Sequence, residues 1–167
     1  MSPRRLHAIP LLIALVAAAL LVPAAPAGAV PPISVYHNLK NDYRDMACLA
    51  GREPSHKVQT SQCVDEFTDQ YWRLEPSPST GYYELHNKIS DRCLAMPVGK
   101  TVAEMVHCDT SSQIDWWALV PTSLGDTFML RNHLTQKCLV ALHPNGYATQ
   151  FTCTSDYTDQ WWHFVQR

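Results

Sequence analysis

The sequence lacks the motifs that would indicate an enzyme or a metal centre. It contains no G-x-S-x-G, no H-E-x-x-H and no glycine-rich loop that could cradle a phosphate. Its cysteines never form C-x-x-C, and no H-x₃₋₅-H pair accompanies them, so the spacing of a zinc site is missing. Carboxylate pairs such as Asp65-Glu66 are adjacent and would point to opposite sides of a strand. We therefore expect neither catalysis nor a cofactor.

The sequence also has few long apolar runs and no excess of basic residues. One uncharged apolar stretch, Ile9 to Val22, follows two arginines and precedes Ala27-Gly28-Ala29, the small residues that signal peptidase needs. We expect residues 1–29 to be a cleaved signal peptide, residues 30–167 to be one secreted, extracellular domain, and no segment to span a membrane. Loss of the two arginines leaves 11 basic and 15 acidic residues, a net charge of −4, which disfavours binding to nucleic acid.

A fixed internal period of 45 residues organises the rest of the chain. Three tracks repeat at this spacing, namely two cysteines and one tryptophan per copy: Cys48, Cys93 and Cys138; Cys63, Cys108 and Cys153; Trp72, Trp117 and Trp162. Three copies occupy nearly all of residues 30–167, so no second domain fits.

The elements within each copy are short. Residues 82–85, 102–106 and 116–120 are strand-sized and rich in aromatic or β-branched side chains, and glycines and prolines separate them. No window has the spacing of an amphipathic helix. Because each copy is too small to bury its own apolar face, we expect three all-β units to share one core about a pseudo-threefold axis.

The two cysteines of each copy are 15 residues apart, and an exported chain meets an oxidising compartment. Six cysteines allow 15 pairings. Threefold repetition favours pairing within each copy: Cys48–Cys63, Cys93–Cys108 and Cys138–Cys153. In the loop-entropy model each bridge stabilises the fold by about 3 kcal/mol.

Three four-residue segments carry a family resemblance. They are similar to the Q-x-W signature of ricin B-type lectin repeats: Asp69-Gln70-Tyr71-Trp72, Ile114-Asp115-Trp116-Trp117 and Asp159-Gln160-Trp161-Trp162. The resemblance covers residues 30–167 and implies a β-trefoil, in which a six-stranded barrel is capped by three hairpins, together with carbohydrate binding. In a strand, the Gln and the Trp would share a face, the ring in the core and the amide bonded to nearby backbone groups. Asp115 keeps only the acceptor half of that role.

The resemblance also implies where sugar pockets would lie. In that family each pocket commonly uses an Asp two residues after the first cysteine. The corresponding residues here are Ala50, Ala95 and Val140, none of which can accept a hydrogen bond through its side chain. We therefore expect simple galactosides to bind weakly at most.

Other pocket residues of the family survive unevenly. The first copy keeps Gln59 and has Asp69 ahead of its signature, with Ser61 in place of the usual ring. The third copy keeps Phe151 and Asp159, with Thr149 in place of the glutamine. At the corresponding positions the second copy has Glu104, Val106 and Ile114. None of these is a pocket residue of the family, so the second copy is expected to be inactive. An alternative is that Asp69 and Asp159 are solvated turn residues.

The middle residue of each signature forms a further candidate set. By strand alternation Tyr71, Trp116 and Trp161 should point away from the core and form outer platforms for sugars or protein partners. The alternative is that each ring covers a neighbouring loop and is buried.

Together these patterns predict a secreted, non-catalytic recognition module. The family resemblance favours a glycan as the partner. The altered pockets favour a second hypothesis, a protein-binding trefoil: a subunit or receptor-binding component of a secreted complex or toxin, or an enzyme inhibitor.

Overall fold

The computed structural model describes residues 29–43, 47–109 and 111–167. Almost all of the predicted signal peptide lies outside these ranges. The described residues form twelve strands: β1 (Tyr36–Asn41), β2 (Cys48–Arg52), β3 (Lys57–Ser61), β4 (Tyr71–Pro76), β5 (Tyr83–Asn87), β6 (Cys93–Ala95), β7 (Glu104–Val106), β8 (Trp117–Pro121), β9 (Thr127–Asn132), β10 (Cys138–Val140), β11 (Thr149–Phe151) and β12 (Trp162–Gln166). Single-turn 3₁₀ helices precede β4, β8 and β12: Thr68–Gln70, Gln113–Asp115 and Thr158–Gln160. Within the described part of the chain, no helix is long and apolar enough to cross a membrane.

Six of the strands close into a barrel. β1 pairs with β4, β4 with β5, β5 with β8, β8 with β9, β9 with β12, and β12 returns to β1, all antiparallel. The other six form three hairpins, β2–β3, β6–β7 and β10–β11. This arrangement is a β-trefoil with one hairpin per 45-residue copy, which confirms the predicted fold.

The three hairpins meet in a closed ring of backbone hydrogen bonds on the pseudo-threefold axis. The N–H of Val58 donates to the carbonyl of Ala103 (3.0 Å), Ala103 to Ala148 (2.8 Å), and Ala148 back to Val58 (2.9 Å). These residues are 45 apart and fully buried. Small side chains at all three positions let three backbones converge while every buried amide keeps a partner.

The signature tryptophans fill the core where the hairpins join the barrel. Each indole Nε1–H donates to the carbonyl of the leucine that follows the first cysteine of its copy, at distances of 2.9, 2.8 and 3.2 Å: Trp72 to Leu49, Trp117 to Leu94 and Trp162 to Leu139. The ring is buried while its one polar atom has a partner, as a core tryptophan requires.

The three disulfides pair within each copy as the spacing predicts: Cys48–Cys63, Cys93–Cys108 and Cys138–Cys153. Each bridge joins the first residue of a hairpin to the loop that follows it. Because every cysteine is bonded to another, none is left as a thiolate that could bind zinc.

The signature glutamines lie at the ends of 3₁₀ helices, so the prediction that they share a strand with the tryptophan is wrong. Their amides nevertheless bond the backbone. Gln70 Oε1 accepts from the N–H of Val64 (2.9 Å), and Gln70 Nε2 donates to the carbonyl of Gln62 (2.8 Å). Gln160 repeats both bonds in the third copy.

Asp115 occupies the same place in the second copy and makes fewer bonds. It is fully buried, and its Oδ2 accepts a long hydrogen bond from the N–H of Asp109 (3.4 Å). Its Oδ1 has no partner in the described part of the chain. Burial, and secondarily the charges of Glu84 and Asp109, raise the pKa of Asp115 to about 6.

The middle residues of the signatures are buried, so the prediction of exposed outer platforms is wrong. Tyr71, Trp116 and Trp161 are only 7%, 8% and 8% exposed. The hydroxyl of Tyr71 donates to the carbonyl of Asp65 (2.5 Å), and Trp116 packs edge-on against His133 with ring centroids 5.4 Å apart. Trp161 packs against the third-copy disulfide. The alternative, that each ring covers a neighbouring segment and is buried, holds for all three residues.

Strand alternation misplaces these rings because another segment of the chain lies over each of them. The carbonyls of Tyr71, Trp116 and Trp161 accept hydrogen bonds from the N–H groups of residues 88, 133 and 42, which belong to the following copy in cyclic order. The following repeat contacts the rings of Tyr71 and Trp116 through Lys88 and His133, whereas Trp161 packs against the disulfide of its own copy.

We expect Asp115→Gln to stabilise the protein at neutral pH. Because the pKa of Asp115 is raised on folding, its contribution to stability is present below about pH 4 and is lost as the pH rises through about 6. The variant removes this loss, which amounts to at most about 3 kcal/mol. Urea unfolding of both proteins at pH 4 and pH 7.5 should show a gap only at the higher pH. An equal gap at both values would contradict the assignment.

We expect Trp116→Ala to lower the free energy of unfolding by about 3 kcal/mol, since the ring is buried. Tyr157→Ala removes a ring that is 59% exposed and should change stability by less than about 0.5 kcal/mol. Chemical denaturation measures both. If Trp116→Ala lowers the free energy of unfolding as little as Tyr157→Ala does, the Trp116 ring does not stabilise the fold by packing.

Candidate functional site

A cleft in the third copy joins two of the predicted site residues. It has a volume of about 300 Å³ and contains Phe151 and Asp159 together with Val140. Two further side chains complete the surface, Leu142 and Tyr157. We call these five residues the third-copy cleft.

The hairpin and the following copy hold Asp159 in place. Val140 ends β10 and Phe151 ends β11, so both belong to the hairpin, whereas Asp159 lies in the 3₁₀ helix. The carbonyl of Asp159 accepts hydrogen bonds from the N–H of Ala141 (3.0 Å) and from Nδ2 of Asn41 (2.9 Å). The backbone that carries its carboxylate is thus fixed from two sides.

The cleft combines an acceptor with exposed rings. Oδ1 of Asp159 is buried and has no hydrogen-bond partner in the described ranges. Burial raises the pKa of this carboxyl above its ordinary value. Phe151 and Tyr157, by contrast, are 52% and 59% exposed. Rings beside a desolvated acceptor suit a ligand that has an apolar face and hydroxyl donors.

The equivalent cleft in the first copy is lined by an ion pair. It has a volume of about 370 Å³ and contains Arg52, Phe67, Asp69 and Ile89. Arg52 Nη1 forms a salt bridge with Asp69, and its Nη2 donates to the hydroxyl of Ser61 (3.0 Å). We call these residues the first-copy cleft. Its acid already has a cation as its partner.

The other predicted site residues lie elsewhere. Gln59 is in β3 opposite Ala50 and does not line the first-copy cleft. Ala50 and Ala95 are fully buried, and the second copy places Ile114 where the other copies have an aspartate. The buried rings Tyr71, Trp116 and Trp161 line neither cleft.

Two positions that set the character of these clefts were not among the predicted site residues. The first holds Arg52, Pro97 or Leu142, and the second holds Phe67, Ser112 or Tyr157. Both sets recur at the period of 45, so the repeat contained the signal. The Asp positions that the family resemblance implies are different ones: Ala50, Ala95 and Val140.

Comparison with known proteins supports the same fold. A model of the ricin-type beta-trefoil lectin domain-like family matches residues 68–146. None of the curated protein sequences resembles this one significantly.

Solved structures share the fold at low sequence identity. The BEL β-trefoil is 15% identical with a TM-score of 0.70, covering 84% of this chain and 99% of that one. The Polyporus squamosus lectin, bound to a Neu5Aca2-6Galb1-4GlcNAc epitope, is 17% identical with a TM-score of 0.69, covering 82% and 50%. The cytolethal distending toxin of Haemophilus ducreyi is 16% identical with a TM-score of 0.68, covering 82% and 87%.

Likeness at these identities establishes the fold and nothing finer. As the resemblance of its repeats predicts, the chain folds as a β-trefoil, and its residues 68–146 match the ricin-type beta-trefoil lectin domain-like family.

Proposed function

We propose that the protein is a secreted, non-catalytic recognition module that binds carbohydrate through its third-copy cleft. The observation that carries this proposal is the cleft that Asp159 lines together with the exposed rings of Phe151 and Tyr157. Three disulfides are consistent with an extracellular protein.

A sugar ring suits this arrangement for two reasons. Its C–H face can lie against Phe151 or Tyr157, which removes apolar surface from water. Its hydroxyls can then donate to the carboxylate of Asp159, which lines the same cleft. Val140 supplies no second acceptor, so a simple galactoside would leave some hydroxyls unpaired and would bind weakly.

The other two copies are poorer candidates. In the first copy Arg52 forms a salt bridge with Oδ2 of Asp69, so the charge of this carboxylate is already balanced by a cation. In the second copy Ile114 offers no acceptor. A single working cleft per chain predicts one binding event per molecule.

A protein partner is the second candidate, and the first-copy cleft favours it. There the exposed side chains of Phe67 and Ile89 flank the Arg52–Asp69 pair. Apolar anchors beside a charged pair are typical of protein interfaces. On this hypothesis binding would depend on the first copy and not on the third.

Matched substitutions in the two clefts test these proposals. We expect Asp159→Asn to weaken glycan binding about tenfold and Tyr157→Ala about fivefold, because they remove a charged acceptor and a stacking ring. Phe67→Ala, the equivalent ring in the first copy, should leave glycan affinity unchanged. A glycan array selects the ligand, and calorimetry then measures each dissociation constant.

The pattern of losses separates the outcomes. Loss of glycan binding only with the third-copy variants supports the proposal. Equal loss with Phe67→Ala would contradict it. If no glycan binds and the protein instead captures a polypeptide through Phe67, the second candidate is correct.

A further inference from the structure

The third-copy cleft adjoins a second depression. This depression has a volume of about 180 Å³ and is lined by Tyr43, Asp156 and Thr158. Its other two lining residues, Tyr157 and Asp159, also line the third-copy cleft, so the two hollows meet at these residues. We call the second one the Tyr43 depression. A ligand that extends from the third-copy cleft past Tyr157 enters it.

The side chain of Asn41 holds Tyr43 beside the third copy. Its Nδ2 donates to the carbonyl of Asp159 (2.9 Å), and its Oδ1 accepts from the backbone N–H of Tyr43 (3.0 Å). One side chain therefore links the backbones of both residues. The N–H of Asp42 also donates to the carbonyl of Trp161 (3.0 Å). These hydrogen bonds fix the first-copy segment that carries Tyr43 against the third-copy signature.

The same arrangement recurs at the other two copies, with a different side chain at the position of Tyr43. Asn87 and Asn132 make the equivalent bonds to the preceding copy and to the N–H two residues later. That later residue is Ile89 or Leu134. Ile89 lines the first-copy cleft, as Tyr43 lines its depression. Of the three copies, the third is therefore the one that an aromatic residue flanks at this place.

The Tyr43 depression combines the two features that a sugar residue requires. Tyr43 and Tyr157 are aromatic, and such rings suit the C–H face of a sugar. The carboxylates of Asp156 and Asp159 and the hydroxyl of Thr158 are acceptors for sugar hydroxyls. Among the described residues that line the depression there is no lysine or arginine, so a negatively charged sugar would meet two carboxylates without a compensating cation. The depression therefore favours a neutral sugar.

We propose that the third copy binds a neutral oligosaccharide of at least two sugar residues, one in the third-copy cleft and the next beside Tyr43. This inference rests on the proposed carbohydrate function and adds the length and the charge of the ligand. Because both sugars belong to one molecule, the second subsite adds affinity without a second loss of translational freedom. A site that holds a monosaccharide weakly thereby holds a disaccharide more tightly.

Homologous sugars of increasing length test the proposal on the purified, oxidised protein. The probes are the mono-, di- and trisaccharides of β1,4-linked glucose, galactose and mannose, and NMR titration of the backbone amides gives each dissociation constant. In the series that binds best, we expect affinity to rise about tenfold from monosaccharide to disaccharide, which is the gain from a second stacked and hydrogen-bonded sugar. The disaccharide should shift the amides of Tyr43 and Thr158, and the monosaccharide should not.

The matched variant is Tyr43→Ile, which installs the residue that flanks the first copy and should preserve the fold. We expect it to bind the disaccharide about fivefold more weakly, because a stacking ring is lost, and to bind the monosaccharide unchanged. Tyr43→Phe keeps the ring and should retain most of the gain with length. Ile89→Ala changes the equivalent residue of the first copy and should alter neither affinity.

An oxidised disaccharide tests the preference for a neutral ligand. The probe is the best-binding disaccharide with its primary hydroxyls converted to carboxylates. We expect it to bind about fivefold more weakly than its neutral parent at low ionic strength, because Asp156 and Asp159 repel it. Asp156→Asn should reduce this difference. Equal binding of the two disaccharides by the parent protein would contradict the preference for a neutral ligand.

Failure of this proposal is distinguishable from failure of the carbohydrate function. If disaccharide and monosaccharide bind equally, or if Tyr43→Ile leaves the gain with length intact, the second subsite is wrong while carbohydrate binding stands. If no probe shifts a residue of the third-copy cleft at millimolar concentration, both proposals fail together. The comparison of lengths uses the parent protein, so the test stands even if Tyr43→Ile fails to fold.

Discussion

The closed ring of three backbone hydrogen bonds at the pseudo-threefold axis is the constraint on which the rest of the structure depends. The backbone N–H groups of Val58, Ala103 and Ala148 each donate to the next member of the ring. Backbone hydrogen bonds alone therefore fix the positions of the three hairpins relative to one another. The tryptophan indoles then tie each hairpin to the barrel through leucine carbonyls. The disulfides fix the same hairpins covalently. The hydrogen-bond ring, the indole bonds and the disulfides all recur every 45 residues, because the three copies have the same architecture.

Positions outside these devices have diverged, and the divergence separates one copy from another. The residue before the signature is Asp69, Ile114 or Asp159, yet its carbonyl is held by an asparagine of the following copy in every case. The backbone geometry is conserved while the side chain is free to vary. One copy therefore has an acid and exposed rings in its cleft, whereas another has an acid paired with Arg52.

The barrel and its cap offer different environments for recognition. On the cap side, the third-copy cleft is open, with exposed rings around a carboxyl whose pKa burial raises. At the open end, His37 lines a cavity together with two prolines, two phenylalanines, Asp126 and Gln166. A small trefoil can thus present two chemically distinct surfaces, because its three copies share a core and not a surface.

The sequence by itself determined the period, the disulfide pairing, the core role of the tryptophans and hence the β-trefoil. These features depend on covalent spacing and on burial repeated three times, which a single chain displays directly. Tertiary structure decided the rest. Tyr71, Trp116 and Trp161 are buried under other segments, the following copy for the first two and the third-copy disulfide for Trp161, and strand alternation contains no information about such contacts. Likewise, the Arg52–Asp69 pair and the hydrogen bond from Asn41 to Asp159 arise where separate segments meet, so they emerge only once the chain has closed on itself.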